Sequence, residues 1–234
     1  MVYGELGICP LIVDIKARMI NYWAKICTGN ESKLSSLLYK LMLIKFSTNN
    51  LKSNWILRVK QILDESGFSN AFDMNENLNV FWLKNSIHRR LLDQFSQSWK
   101  SEIFNSPKGL SYRIFKEEWK FEEFLDLLEK KDRNNFCKFR TTNHHLPIET
   151  GRWQSIERNN RKCLYCNKND LGDEHHYLFV CSFFKLARNQ CLSSYYRENA
   201  NTLKFKQLFE TKDHVTLRKL CKFINVVNTI LCPP

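Results

Sequence analysis

The sequence predicts a mainly α fold: a helical bundle followed by a small zinc-knuckle region and C-terminal helices. Three observations carry that expectation. Apolar residues recur every three or four positions through most of the first hundred residues, the period of helices with one buried face. Seven Gly and five Pro are too few for a turn-dense all-β chain. One segment, 163–181, gathers three cysteines and a histidine pair at metal-ligand spacing. With 43% hydrophobic and 13% aromatic residues over 234 positions, the chain can bury about 70% of its unfolded surface.

Pro10 suits the first turn of a helix in which Ile12, Ile15, Met19, Tyr22, Trp23 and Ile26 recur at helical spacing, and Gly29-Asn30 ends it. Ser32 is placed to cap a second helix, with Leu34, Leu37, Leu38 and Leu41 facing inward. A third spans 53–66 through Ile56, Val59, Ile62 and Leu63, with Gly67 as its left-handed stop. The fourth is the longest, about 78–104, with Ile87, Leu91, Phe95, Trp99 and Ile103 every four residues.

The Ser-Pro-Lys-Gly stretch at 106–109 reads as a linker, dividing the chain into a helical region 1–108 and a basic, cysteine-containing helical region 109–234. An acidic amphipathic helix is expected over 119–129, and further helices over 182–198, 203–209 and 215–230. Nothing alternates strongly enough for a sheet of more than two or three short strands.

Charge is the outlier in composition, 36 Lys and Arg against 24 Asp and Glu, with a pI near 9.3. The +12 excess is local. Residues 117–129 carry six acids and one base, whereas 130–162 carry nine bases and three acids. Such a block favours a polyanionic partner. The short run 8–13 is broken by Pro10 and stopped by Asp14, and no uncharged apolar stretch reaches about 18 residues. The expectation is an intracellular protein, nuclear or cytoplasmic, with no membrane partner. Nine cysteines, an odd number, then point to thiols or metal ligands and away from a disulfide framework.

Cys163, Cys166, His176 and Cys181 form C-x2-C-x9-H-x4-C. A C-x2-C turn sets two thiolates on one side of an ion, and a later pair closes a tetrahedron. Four protein ligands leave no position for water, so one structural Zn2+ is the expected cofactor and its binding energy becomes local folding energy. His175 is the alternative ligand, although Tyr177 and Leu178 follow His176 as packing residues. Cys9, Cys27, Cys137, Cys191, Cys221 and Cys232 lack such company. The pair His144-His145 reads as structural or solvent-facing.

Just upstream, Lys138, Arg140, Arg152, Arg158, Arg161 and Lys162 are candidate phosphate contacts, with Phe136, Phe139 and Trp153 available for stacking. Glu149 stands three residues before Arg152 and is placed to pair with it.

Three stretches together resemble the region past the polymerase core of LINE-type non-LTR retrotransposon reverse transcriptases. They are Tyr3-Gly-Glu-Leu-Gly7 with Pro10 and Tyr22-Trp23; Arg140-Thr-Thr-Asn-His-His-Leu-Pro-Ile-Glu-Thr-Gly-Arg-Trp153; and Arg161-Lys-Cys-Leu-Tyr-Cys166 running on to Cys181. They stand in that family's order across essentially the whole chain. The resemblance implies Cys163, Cys166, His176 and Cys181 as zinc ligands, and a region that helps hold template RNA or target DNA for a reverse transcriptase core. It does not carry polymerase activity over, because the sequence has no Asp-Asp pair and no endonuclease segment.

The sequence therefore predicts a non-catalytic module that binds RNA or single-stranded DNA. A protein-interaction or scaffolding module, a polymerase subunit acting in trans, and a decayed retroelement fragment are the other readings.

Overall fold

A computed structural model describes residues 1–47, 54–73 and 78–231. Among them the chain is mainly helical, and the only extended pairings are two isolated antiparallel bridges, Leu6 with Phe121 and Lys162 with Leu171. The helices are α1 (Val2–Leu6), α2 (Leu11–Cys27), α3 (Leu34–Ser47), α4 (Asn54–Glu65), α5 (Ser69–Asp73), α6 (Val80–Asn105) and α7 (Tyr112–Phe115). They continue with α8 (Phe124–Leu127), α9 (Lys130–Arg140), α10 (Pro147–Trp153), α11 (Lys185–Cys191), α12 (Ser194–Arg197), α13 (Thr202–Phe209) and α14 (His214–Leu231). Among the described residues no helix is long and apolar enough to cross a membrane. Ser53 and Cys232 lie outside the described residues.

Two compact units divide the chain. One is continuous, Cys9–Trp99; the other joins Met1–Ile8 to Lys100–Pro234. The division falls inside α6 and after residue 8, not at the 106–109 stretch. A helix that runs on through residue 105 leaves that stretch as a turn within one unit.

In the continuous unit, Ile56, Val59, Ile62 and Leu63 of α4 are fully buried, as their spacing predicts, with Ile87 and Leu91 of α6. Gly67 (φ +79°) ends α4. The Phe68 amide donates to the Leu63 carbonyl and the Gly67 amide to that of Asp64, a Schellman closure that needs the left-handed conformation glycine adopts freely.

The inward face of α2 differs from the expected one. Val13, Ala17, Ile20 and Ala24 are buried with Trp23 and Ile26, whereas Ile12, Ile15 and Tyr22 are exposed. Two alanines admit neighbouring helices closely, and a stripe traced through large side chains passes them by. α3 departs further: Leu34, Leu37, Leu38 and Leu41 face outward, and Tyr39 and Ser36 are buried. Polar bonds set this rotation, since Trp23 Nε1 donates to the Tyr39 hydroxyl (2.8 Å) and the Ser36 hydroxyl to the Ile26 carbonyl (3.2 Å).

The other unit is built on stacked aromatics. Phe209 lies 4.5 Å from Phe115 and 5.8 Å from Phe136 between ring centroids, both stacked, and Phe124 meets Phe136 edge-on at 4.8 Å. α9 packs along α14, tied by Asn225 Nδ2 to Asp132 Oδ1 (3.0 Å) and Asn135 Nδ2 to Asn225 Oδ1 (2.7 Å).

The expected helix over 119–129 shrinks to the single turn α8. Residues before it pair with the N-terminus: the Glu122 amide donates to the Glu5 carbonyl, and Trp119 Nε1 to the carbonyls of Tyr3 and Ile8. Gly7 (φ +61°) permits the approach, since a Cβ there would lie 2.3 Å from the Phe121 nitrogen. The expected helix over 182–198 breaks into α11 and α12, because Leu192 turns extended (ψ 141°) and is buried.

Candidate metal centre

Cys163 and Cys166 sit on a tight turn closed by the Lys162–Leu171 bridge. The Cys163 amide donates to the Asp170 carbonyl (3.0 Å) and the Gly172 amide to that of Arg161 (2.9 Å). Gly172 is needed for space: a Cβ there would lie 2.9 Å from Pro147, whose neighbour Ile148 donates its amide to the Gly172 carbonyl. The start of α10 is thereby pressed onto the cysteine hairpin.

The second pair comes from a π-helical turn, His176–Val180, followed directly by Cys181. Asp173 Oδ1 accepts the His176 amide (2.9 Å), which starts the turn, and the Cys181 amide donates to the His176 carbonyl (2.8 Å), five residues back. This wider turn brings residues at positions i and i+5 to one side. His176 and Cys181 both reach the hairpin as a result.

The ligand atoms of Cys163, Cys166, His176 and Cys181 all lie within 4.8 Å of one another, close enough to hold one metal ion. Cys163 Sγ stands 3.7 Å from Cys181 Sγ, and Cys166 Sγ 3.3 Å from His176 Nε2. No family model, curated protein or solved structure matches this chain.

His175, the competing ligand, points elsewhere: its ring packs edge-on against Phe179 (5.2 Å) and beside Phe205 (5.8 Å). Burial lowers the His176 pKa, which keeps the imidazole neutral and able to donate a lone pair. Burial also pushes the Cys181 thiol up to about 12. Burial acts against the Cys163 thiolate too, but the Tyr165 amide and further donors outweigh it and its pKa falls. Without a cation, burial opposes the Cys181 thiolate; a divalent ion beside it reverses that preference.

Three supporting interactions escaped the spacing argument. The Asp170 carboxylate faces His176 Nδ1 at 3.5 Å, the side of the ring away from the cysteines. Buried Arg188 donates from Nη2 to the carbonyls of Cys181 (2.8 Å) and Tyr177 (3.2 Å), and from Nε to that of Leu178. These are carbonyls a short π-turn leaves unsatisfied. Glu174, also buried, accepts from the Ser111 hydroxyl (2.7 Å) and lies 2.8 Å from His144 Nε2. His144 is thus structural, as its pairing with His145 suggested. The one available signal was an arginine on the inward side of α11.

The phosphate candidates divide. Arg140 is not a phosphate contact, contrary to expectation: its side chain is 0% exposed and ion-paired to Glu5 and Glu122. Its neighbours explain the burial, since the guanidinium stacks over Phe115 and Phe124 and bonds the Phe209 carbonyl. Arg152 is bound to Glu149 (2.9 Å), the pairing its spacing allowed. Arg161 lies against Gly151 and gives Nε and Nη1 to the carbonyls of Ile156 and Ile148, a brace between α10 and the hairpin. Lys138 and Arg158 are exposed and Lys162 is half-buried. Phe136 and Phe139 are buried and cannot stack on a base, whereas Trp153 is 52% exposed.

Proposed function

We propose that this chain is a non-catalytic, zinc-stabilised module that binds RNA or single-stranded DNA. The observation that carries the proposal is the four-ligand cluster itself. A tetrahedral zinc with Zn–S near 2.3 Å and Zn–N near 2.0–2.1 Å has S···S edges of about 3.8 Å and S···N edges of about 3.5 Å. The spacings of 3.7 and 3.3 Å fit those edges. Four protein ligands give the ion a holding role and no open coordination position.

The hairpin and α10 it would stabilise present Trp153, Arg158 and Lys162 on one stretch, with Lys138 on α9. Of the six candidate phosphate contacts, Lys138, Arg158 and Lys162 remain for a phosphate once Arg140, Arg152 and Arg161 are assigned to internal bonds. The order of motifs resembling the tail of LINE-type reverse transcriptases supports the same reading, with a reverse transcriptase core as partner.

The test is salt-dependent binding of a labelled single strand to the zinc-loaded protein and to K138E/R158E/K162E. Log affinity is expected to fall linearly with log salt, by about 0.7 per strand phosphate contacted. Equal, salt-independent retention of both proteins rejects the proposal.

A second reading rests on α3. Leu34, Leu37, Leu38, Leu41 and Ile44 form an exposed apolar stripe, which supports a protein-interaction module.

A further inference from the structure

A second cationic feature lies outside the block of charge that the sequence emphasises, in the continuous unit. α2 and α6 border a cleft of about 390 Å³, lined by Asp14, Arg18 and Asn21 on one side and Lys84, His88 and Arg89 on the other. Arg18, Lys84 and Arg89 are exposed, and their side chains make no hydrogen bond or ion pair among the described residues. The lone acid, Asp14, faces His88 at 3.5 Å and so is turned to a partner inside the cleft. Three cations without counter-ions around one groove hold a positive potential that a bound anion would relieve.

The shape of the groove indicates what kind of anion. It is open and bounded by side chains from successive helical turns, so it would not enclose a small molecule. Lys84 and Arg89 are about 7.5 Å apart along the axis of α6, comparable with the separation of successive phosphates in an extended strand. One turn before Lys84, on the same side of α6, stands Phe81. Phe81 is 77% exposed, which leaves its ring open to stack on a base.

We propose that the α2/α6 cleft binds a single nucleic-acid strand, with Arg18, Lys84 and Arg89 on consecutive phosphates and Phe81 stacked on a base. This site is separate from the metal-side surface and stands or falls by different residues.

The experiment uses the full-length, zinc-loaded chain and a fluorescein-labelled single strand of about 16 nucleotides, with anisotropy read between about 50 and 200 mM salt. R18E/K84E/R89E is expected to bind roughly tenfold or more weakly and with a shallower salt slope, by about 0.7 per phosphate lost. R18Q/K84Q/R89Q should show the same trend to a lesser degree, and far-UV circular dichroism checks that both variants keep their helices. F81A should weaken binding without altering the slope. A strand carrying 5-bromouridine should crosslink to the peptide containing Phe81.

Wild-type affinity in the glutamate variant, or crosslinks confined to 130–168, overturns the proposal. Displacement of the strand by inorganic phosphate at matched ionic strength also overturns it, by making the ligand a small anion. So does retention on phosphatidylserine vesicles in place of the strand. If K138E/R158E/K162E loses binding while R18E/K84E/R89E does not, this site fails alone and the metal-side surface stands. If the reverse holds, the metal-side surface fails alone.

Discussion

Arg140 and Glu5, 135 residues apart in the chain, meet in a buried two-bond ion pair: Nε to Oε2 at 3.0 Å and Nη2 to Oε1 at 3.3 Å. Glu122 closes the other side of the guanidinium and is itself paired to Lys116. Four charges are thereby held away from water by one another, and the phenylalanine cluster packs around them. Removing one member strands the others.

Arg140→Ala is therefore expected to destabilise its unit by about 3–5 kcal/mol, because Glu5 is left buried without its cation and Glu122 keeps only Lys116. Arg140→Met combined with Glu5→Leu should lose less than Arg140→Met alone. Urea unfolding of the three variants measures this, and equal losses would show that the pairing contributes nothing.

One zinc per chain is expected by elemental analysis, and Co2+ loading should give the visible bands of a tetrahedral thiolate site. Cys163→Ser and His176→Ala should lose the metal together with local structure. His175→Ala should keep it, since that ring packs on Phe179. Metal retained in His176→Ala and lost in His175→Ala would reverse the ligand assignment.

Arg188→Met keeps much of the side-chain volume and removes the three bonds to the carbonyls of the π-turn. Zinc affinity is expected to fall about 10–100-fold, the usual effect of losing an outer-shell partner. Competition against a chromogenic chelator reads it out.

Asp213 starts α14: its Oδ2 accepts the Thr216 amide at 2.8 Å. Bonds from the Thr216 side chain and amide lower its pKa from 3.8. A depressed carboxylate contributes stability that is fully present above the unfolded value and lost as pH falls through the folded one. Asp213→Ala should thus lower the thermal midpoint at pH 7, and the gap from wild type should close in the acid range below about pH 3.9. A gap that persists unchanged at pH 2 would place the effect elsewhere.

Much of this architecture is legible in order and period. The spacing of Ile56, Val59, Ile62 and Leu63 places α4 and its buried face, and Gly67 marks its end. The Cys and His spacing singles out the four side chains that the fold brings together. What escapes the sequence is burial that depends on small or polar groups. Ala17 and Ala24 mark the inner face of α2 but contribute little to an apolar stripe. The leucines of α3 yield to Tyr39 and Ser36 because their hydroxyls have partners inside.

Charge misleads for the same reason. Arg140 and Arg158 look alike in a run of basic residues, yet the partners of Arg140 lie in residues 5 and 122. No local window contains them. The broken acidic helix has the same origin, since its first turns pair with the backbone of the N-terminal segment.

The division of the chain also bears on synthesis at the ribosome. Glu5 emerges early and its Arg140 partner only 135 residues later, a wait on the order of ten seconds at roughly 5–20 residues per second. During that interval the continuous unit Cys9–Trp99 has fully emerged and is able to fold, while the first eight residues have nothing to dock on. Until then the segment 1–8 carries Glu5 without its partner, and its capture waits on residues made long after it.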